Sequence, residues 1–449
     1  MRGDVSTPRK SPRRPAARTA SAPVRRAAAR PADDEIWPRV TRELADDLAA
    51  DALARDRAGE VPLDEAARLR EAGLPGLLTA PGPDRRGAGW QAACAVVREI
   101  SAADGSVGEL LAHHYALSWS SRFFGPAPDA SSSPAGGAAR DRVPALDACT
   151  AEEGWLLAGG VEPPGAATGP GLALTPAGGG DGWVLDGRRA FASGVTVADR
   201  LVVGARPAGG GDPLVVLVDP ALPGVSTEAD TDRIGQRLTG AGTVAFDRVP
   251  VRAAHVLGAL AHDEHAVAPF TALAPLVLRL LLTQVGLGIA EGALAEARDI
   301  SRAGQAGPPR DGDAAGADDT APADDGNDPY LLLAYGELAT AAHTAAAVVE
   351  RATDALARGL RAGWSLGPEE RADVSVLVAA AETVTGRAAV RITTRVLELV
   401  DGARGGGHGF DRFWRNARAL TAPARADHRL RDIGDHYLNG THARLTLPV

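Results

Sequence analysis

Twice along this chain the hydrophobic period changes, and each change separates one kind of structure from another. From Ile36, IWPRVTRELADDLAADALARDRAGE has apolar residues at helical spacing behind the Asp33-Asp34 pair, which predicts a capped helix. LDEAARLREA (63–72) before Gly73, WQAACAVVREISAA (90–103) before Asp104-Gly105, and SVGELLAHHYALSWSSRFF (106–124) predict further helices. Between Glu153 and Leu257 the period becomes that of strands. WLLAGG, GWVLDGRRAFAS, RLVVGAR, PLVVLVD and TVAFDRVPV, separated by Gly and Pro, predict a small antiparallel unit. After Pro269 the helical period returns in long stretches at 272–302, 329–362 and 368–400, the pattern of a bundle. Residues 303–328, AGQAGPPRDGDAAGADDTAPADDGND, are predicted to be a mobile loop within it. The expected fold class is α+β, divided into a basic tail (1–33), a helical unit (34–150), a β unit (151–260) and a bundle (261–449).

Composition removes several functions. A formal net charge of -9 argues against general nucleic-acid affinity, because such proteins carry a basic field over a whole face. Residues 1–30 are basic but rich in Arg, Pro, Ala and Ser, so disorder is expected. The pairs Arg13-Arg14 and Arg25-Arg26 lack the apolar segment that an export signal needs. No stretch is expected to reach the roughly 20 apolar residues of a membrane span. Cys94 and Cys149, the only cysteines, are too few for a disulfide framework or a zinc site, and a cytoplasmic location is expected. Lys10 is the only lysine, which excludes a catalytic lysine outside the tail.

Helices, then strands, then a bundle is the layout of the acyl-CoA dehydrogenases, and particular segments resemble theirs. GWVLDGRRAFASGVTVADRLVV (182–203) resembles the strand pair that seats the flavin ring. DRIGQRLTGAGTVAFDRVPVRAAHVLG (232–258) resembles the turn and strand leaving the β domain. GFDRFWRNARAL (409–420) and RDIGDHYLNG (431–440) resemble the C-terminal signatures of the dibenzothiophene and sulfone monooxygenase branch. The resemblance spans nearly everything after Asp34. It implies an N-terminal helical domain, a central antiparallel β-barrel, a C-terminal four-helix bundle and a homotetramer. It also implies a flavin, reduced FMN or FAD supplied by a flavin reductase, and oxygenation of a small hydrophobic sulfur, nitrogen or aromatic compound. No metal, nucleic acid or membrane partner is expected.

A flavin ring needs hydrogen-bond donors along its N5 and carbonyl edge and a flat apolar surface on one face. Phe191, Ala192 and Ser193 meet both needs, and the resemblance places Phe191 and Ser193 against the ring. The strand WLLAGGVE resembles a second flavin-contacting strand, on which Gly160 and Val161 provide backbone donors. Arg404, in Gly402-Ala403-Arg404, resembles the loop that reaches a cofactor phosphate in a neighbouring subunit. A dehydrogenase would need a carboxylate base, but Pro423-Ala424-Arg425 stands at its usual place, leaving Glu291 or Glu296. A monooxygenase needs a proton donor in a water-poor pocket. Two histidines of the relatives are replaced here by Leu420 and Pro423. The resemblance aligns His114 with a histidine that faces the substrate pocket, so His114, and second to it Tyr115, are expected there, with Ser193 as the third catalytic candidate. Adjacent helical residues point about 100° apart, so His113, His114 and Tyr115 cannot all share it. His408 and His428 are further candidates. An FAD-dependent dehydrogenase and a non-catalytic scaffold remain as alternatives.

Overall fold

The computed structural model describes residues 36–80, 87–125, 146, 149–161, 171–178, 182–261, 267–305, 328–404, 409–421 and 423–441. The predicted tail and residues 306–327 of the predicted loop lie outside the described residues, as does His408. Helices come first: α1 (Ile36–Ala58), α2 (Leu63–Glu71), α3 (Trp90–Ala103), α4 (Gly105–Ser118) and α5 (Ser120–Phe124). Asp104 starts α4, its carboxylate accepting from the N–H groups of Ser106 at 3.0 Å and Val107 at 3.3 Å. Arg55 Nη1 lies 2.9 Å from the other carboxylate oxygen. The single helix expected over 106–124 breaks at Trp119, where φ is -96° and ψ is 7°.

The strands are β1 (Leu157–Gly160), β2 (Ala173–Pro176), β3 (Gly182–Phe191), β4 (Arg200–Pro207), β5 (Leu214–Val218), β6 (Val225–Ala229), β7 (Gly242–Arg252) and β8 (Val256–Ala259). Their order is β6-β7-β3-β2-β4-β5-β8, with β1 pairing β4. Pairing is mostly antiparallel, and β4 pairs in parallel with β1 and β2. Among the described residues the sheet is not closed, so the implied barrel is corrected to an open sheet. Its narrowest seam is β2 against β4, which meet only through Ala173↔Arg206 and Leu174↔Pro207. The long β3–β7 ladder runs from Gly182↔Arg252 to Phe191↔Gly242 and so ends at the aromatic residue.

The remaining helices are α6 (Ala274–Gln305), α7 (Pro329–Ala362), α8 (Pro368–Arg404), α9 (Asp411–Leu420) and α10 (Pro423–Asn439). Helix α6 packs against α3, α4, α7 and α8. A Cβ at Gly288 would lie 2.3 Å from Arg98 O, and one at Gly292 would lie 2.0 Å from Ala102 O. Only glycine permits α3 and α6 to approach this closely. Contrary to expectation, the stretches Thr271–Arg302 and Pro329–Ser365 are long and apolar enough to cross a membrane by length and composition. The apolar window of the first is 78% buried inside the protein, as in a core helix, whereas that of the second is 28% buried.

Candidate active site

A cavity of about 730 Å³ opens between α4, the ends of β1 and β3, and the helices α6, α8 and α10. Small-molecule sites span roughly 300–1,000 Å³. Its sheet wall is built from the end of the β3–β7 ladder. Phe191, Ala192, Gly160 and Val161 all line it. Next comes a turn through Gly194, whose φ of +79° and whose contact with Ala158, 2.7 Å from an added Cβ, both favour glycine. Thr239 stitches this turn down: its carbonyl accepts from Gly194 N at 2.7 Å and from Ser193 Oγ at 3.2 Å. Ser193 is buried, bonded away from the cavity and not part of its wall.

Two arginines that the sequence reading passed over flank Phe191. Arg189 Nη1 donates to Gly160 O at 3.2 Å, and its guanidinium carbon sits 5.2 Å from the Phe191 ring centre. Arg233 Nη1 donates to Ala192 O at 2.8 Å and to Thr239 Oγ1 at 2.6 Å. A Cβ on Gly160 would stand 3.4 Å from Arg189 Nη2 and 3.7 Å from Phe191 Cδ1. Here, then, bare backbone adjoins an aromatic ring and two fixed cations, in a recess that a side chain would fill. These residues fit a flavin, which takes backbone donors, a flat apolar neighbour and positive charge near its reduced ring.

Helix α4 forms another wall with Glu109, His113, Ala116 and Leu117. These positions share one helical face because they are spaced by about one or two turns. His114 and Tyr115 lie on the other side, which corrects the expectation that they face the pocket. Leu157 N–H donates to His114 Nδ1 at 3.0 Å, and Nε2–H donates to Pro75 O at 2.9 Å. Both ring nitrogens are thus committed to backbone, and burial pushes the pKa of this neutral imidazole down to about 4. Tyr115 O–H donates to Leu74 O at 3.0 Å, and burial raises its pKa. The α4 imidazole on the cavity is His113. Its Nδ1–H donates to Glu109 O at 3.0 Å, so Nε2 is the atom left for a bound molecule. Burial first, and then the charge of Arg233, lower its pKa, while the Glu109 carbonyl opposes the shift.

The other candidates fall elsewhere. Glu291 is bidentately paired with Arg98, its Oε2 accepting from Nε at 2.7 Å, and Glu296 accepts from Arg412 Nη2 at 2.5 Å. Neither lines the cavity, so neither serves as a base there. Leu420 and the exposed His428 are on its wall. Arg404 ends α8, and its side chain is outside the described residues. Among the described residues no cluster could hold a metal ion.

No family model matches the sequence. The dibenzothiophene monooxygenase of Rhodococcus qingshengii is 31% identical over 426 residues, covering 92% of this chain and 95% of that protein. A probable FMNH2-dependent monooxygenase, SfnC of Pseudomonas putida, is 31% identical over 89% of this chain and 94% of its own length. FMN-bound TdsC from Paenibacillus sp. A11-2 superposes with a TM-score of 0.78 at 28% identity, covering 92% of this chain and 99% of that one. Similarity of this length and level, on a fold with a cavity suited to the ring, has one reading. The chain belongs to the dibenzothiophene monooxygenase family, the flavin-dependent monooxygenase branch of the acyl-CoA dehydrogenase fold.

Proposed function

We propose that this enzyme takes reduced FMN from a separate flavin reductase and transfers one oxygen atom of dioxygen to a small sulfur compound. The observation that carries this reading is the cavity wall itself, where Phe191, the backbone of Gly160 and Val161, and the cations of Arg189 and Arg233 converge. The bound flavin supplies two electrons, so that one oxygen atom enters the substrate and the other leaves as water. Phe191, Gly160 and Ala192, which line the cavity together, would hold the ring. Ser193 acts through Thr239 by holding the turn in shape, and Arg404 is assigned to the cofactor phosphate of a neighbouring subunit. His113 takes up and returns a proton at Nε2, a role for which an imidazole at the edge of a partly closed cavity is suited. His114 and Tyr115 position this wall by tying α4 to β1 and to the turn at 74–76.

A homotetramer in the cytoplasm completes the proposal. Its support is the apolar surface left on α7 and α10, where Tyr330 is 83% exposed, Leu333 62% and Tyr437 87%. The paired states of Glu291 and Glu296 count against acyl-CoA dehydrogenation. The test is a single turnover with photoreduced FMN, isotopically labelled oxygen and benzothiophene. Label in the recovered sulfoxide supports the assignment. Flavin oxidation that yields only hydrogen peroxide with benzothiophene, other thioethers and indole alike would refute it.

A further inference from the structure

Apart from the active-site cavity, a hollow of about 420 Å³ opens between the end of α1, the turn joining β6 to β7, and α9. Its charged lining is Arg57, Arg233, Arg237 and Arg415 against Asp56 and Asp411, four guanidiniums to two carboxylates. Arg415 takes both carboxylates, its Nη2 donating to Asp56 Oδ2 at 2.6 Å and its Nε to Asp411 Oδ2 at 3.1 Å. Arg57, Arg233 and Arg237 form no ion pair with a described residue. The lining as a whole keeps an excess of two positive charges.

Two of the uncompensated cations are held in place. Arg233 is tied through Nη1 to Ala192 O and Thr239 Oγ1, and the residue lines both this hollow and the active-site cavity. Arg237 is partly buried and lies over the end of α1, where a Cβ on Gly59 would stand 2.7 Å from its Nη2. Its Nε finds no acceptor, and no other described group pairs with its guanidinium. Between these two arginines Gln236 has a φ of +55°, which a residue other than glycine rarely adopts. The kink is pinned from α9. Gln236 N–H donates to Asn416 Oδ1 at 2.7 Å, and a Cβ on Gly235 would lie 2.2 Å from Arg415 O. Backbone strain of this kind collects at ligand clamps.

Charge and shape set the class of ligand. A carboxylate brings one negative charge and two oxygens in a plane, whereas a phosphate brings two charges and oxygens on every side. The second matches an excess of two charges on guanidiniums that arrive from a helix end and from a turn. We propose that the hollow is a binding site for a phosphate dianion, inorganic or carried by a small organic molecule, held by Arg57, Arg233 and Arg237. The site is separate from that of the flavin and does not depend on the flavin reading.

The test is calorimetric titration of the full chain with inorganic phosphate, phenyl phosphate and acetate, at constant ionic strength and about pH 7.5, where phosphate is largely the dianion. The two phosphates should bind saturably with a dissociation constant of about 1 mM or below, and at least about tenfold more tightly than acetate. Phenyl phosphate as the tighter of the two assigns the site to an organic phosphate gripped also by Leu53 and Ile234, and inorganic phosphate as the tighter assigns it to the free ion. Arg237→Met should weaken phosphate binding at least about tenfold and Arg57→Met by several fold, and phosphate should raise the denaturation midpoint of the parent more than that of either variant. Arg57 is exposed and pairs with no described residue, so its variant carries the test if Arg237→Met fails to fold. Equal binding of phosphate and acetate overturns the proposal, as does phosphate affinity unchanged in both variants. Displacement of phosphate by FMN but not by riboflavin also overturns it, by giving the hollow to the cofactor's own phosphate.

Discussion

His113 and His114 are neighbours in sequence but belong to different parts of the molecule. His114 is sealed between α4, β1 and the turn at 74–76, with one nitrogen accepting from Leu157 N–H and the other donating to Pro75 O. His113 bonds only to its own helix and otherwise looks into the cavity. The difference teaches that an imidazole's role is set by which of its nitrogens the backbone has already claimed. On one side of α4 it is a clasp, and on the other a group that can exchange a proton.

The contrast can be broken most forcefully at the clasp. His114→Ala leaves two buried backbone groups without partners, at about 1–3 kcal/mol each, so urea denaturation should show a loss of about 4 kcal/mol. A loss below about 1 kcal/mol would mean that the clasp does not carry load. Acid should act on the same residue. An unfolded imidazole titrates near 6.5 and the folded one at about 4. Between those values the unfolded chain holds the extra proton, so His114's contribution is complete above about pH 6.5 and falls as pH drops towards 4, by up to about 3 kcal/mol. Denaturation midpoints of the parent and His114→Asn across that window isolate this contribution. A parent slope matched by the variant would assign the acid sensitivity to other groups.

On the cavity side the effects should appear in turnover. His113→Ala is expected to lower coupled product formation by about 100-fold and raise peroxide release, with stability changed by no more than about 0.5 kcal/mol. Unchanged coupling would remove His113 from the chemistry. The smallest effect is expected from Tyr115→Phe. It deletes one hydrogen bond to Leu74 O, for about 1 kcal/mol of stability by urea denaturation and no change in product yield.

Much of this was legible before any coordinates. The two changes of period marked where helices give way to strands and return, and the family resemblance pointed to Phe191-Ala192 and Gly160-Val161, which the fold brings to the wall of one cavity. The choice between His113 and His114 was not legible, because it depends on how α4 is rotated. That rotation is set by distant contacts at glycines. A Cβ at Gly108 would lie 1.8 Å from Ser101 Oγ, and one at Gly105 would lie 2.7 Å from Ile289. The helical spacing of Glu109, His113 and Ala116 was a usable signal, but nothing local distinguished that face from the next one. Arg57 and Arg237 come from the end of a helix and a distant turn, so no spacing announces that they meet. The open sheet likewise depends on its end strands, β6 and β8, not pairing with each other among the described residues, which strand patterns do not encode.

The central claim is that bare backbone at Gly160, beside Phe191 and Arg189, receives the flavin. Anaerobic equilibrium titration of reduced FMN against the parent and Gly160→Val tests it most directly. The parent should bind saturably and the variant at least about tenfold more weakly, with denaturation midpoints alike. Equal affinity in the two proteins would contradict it.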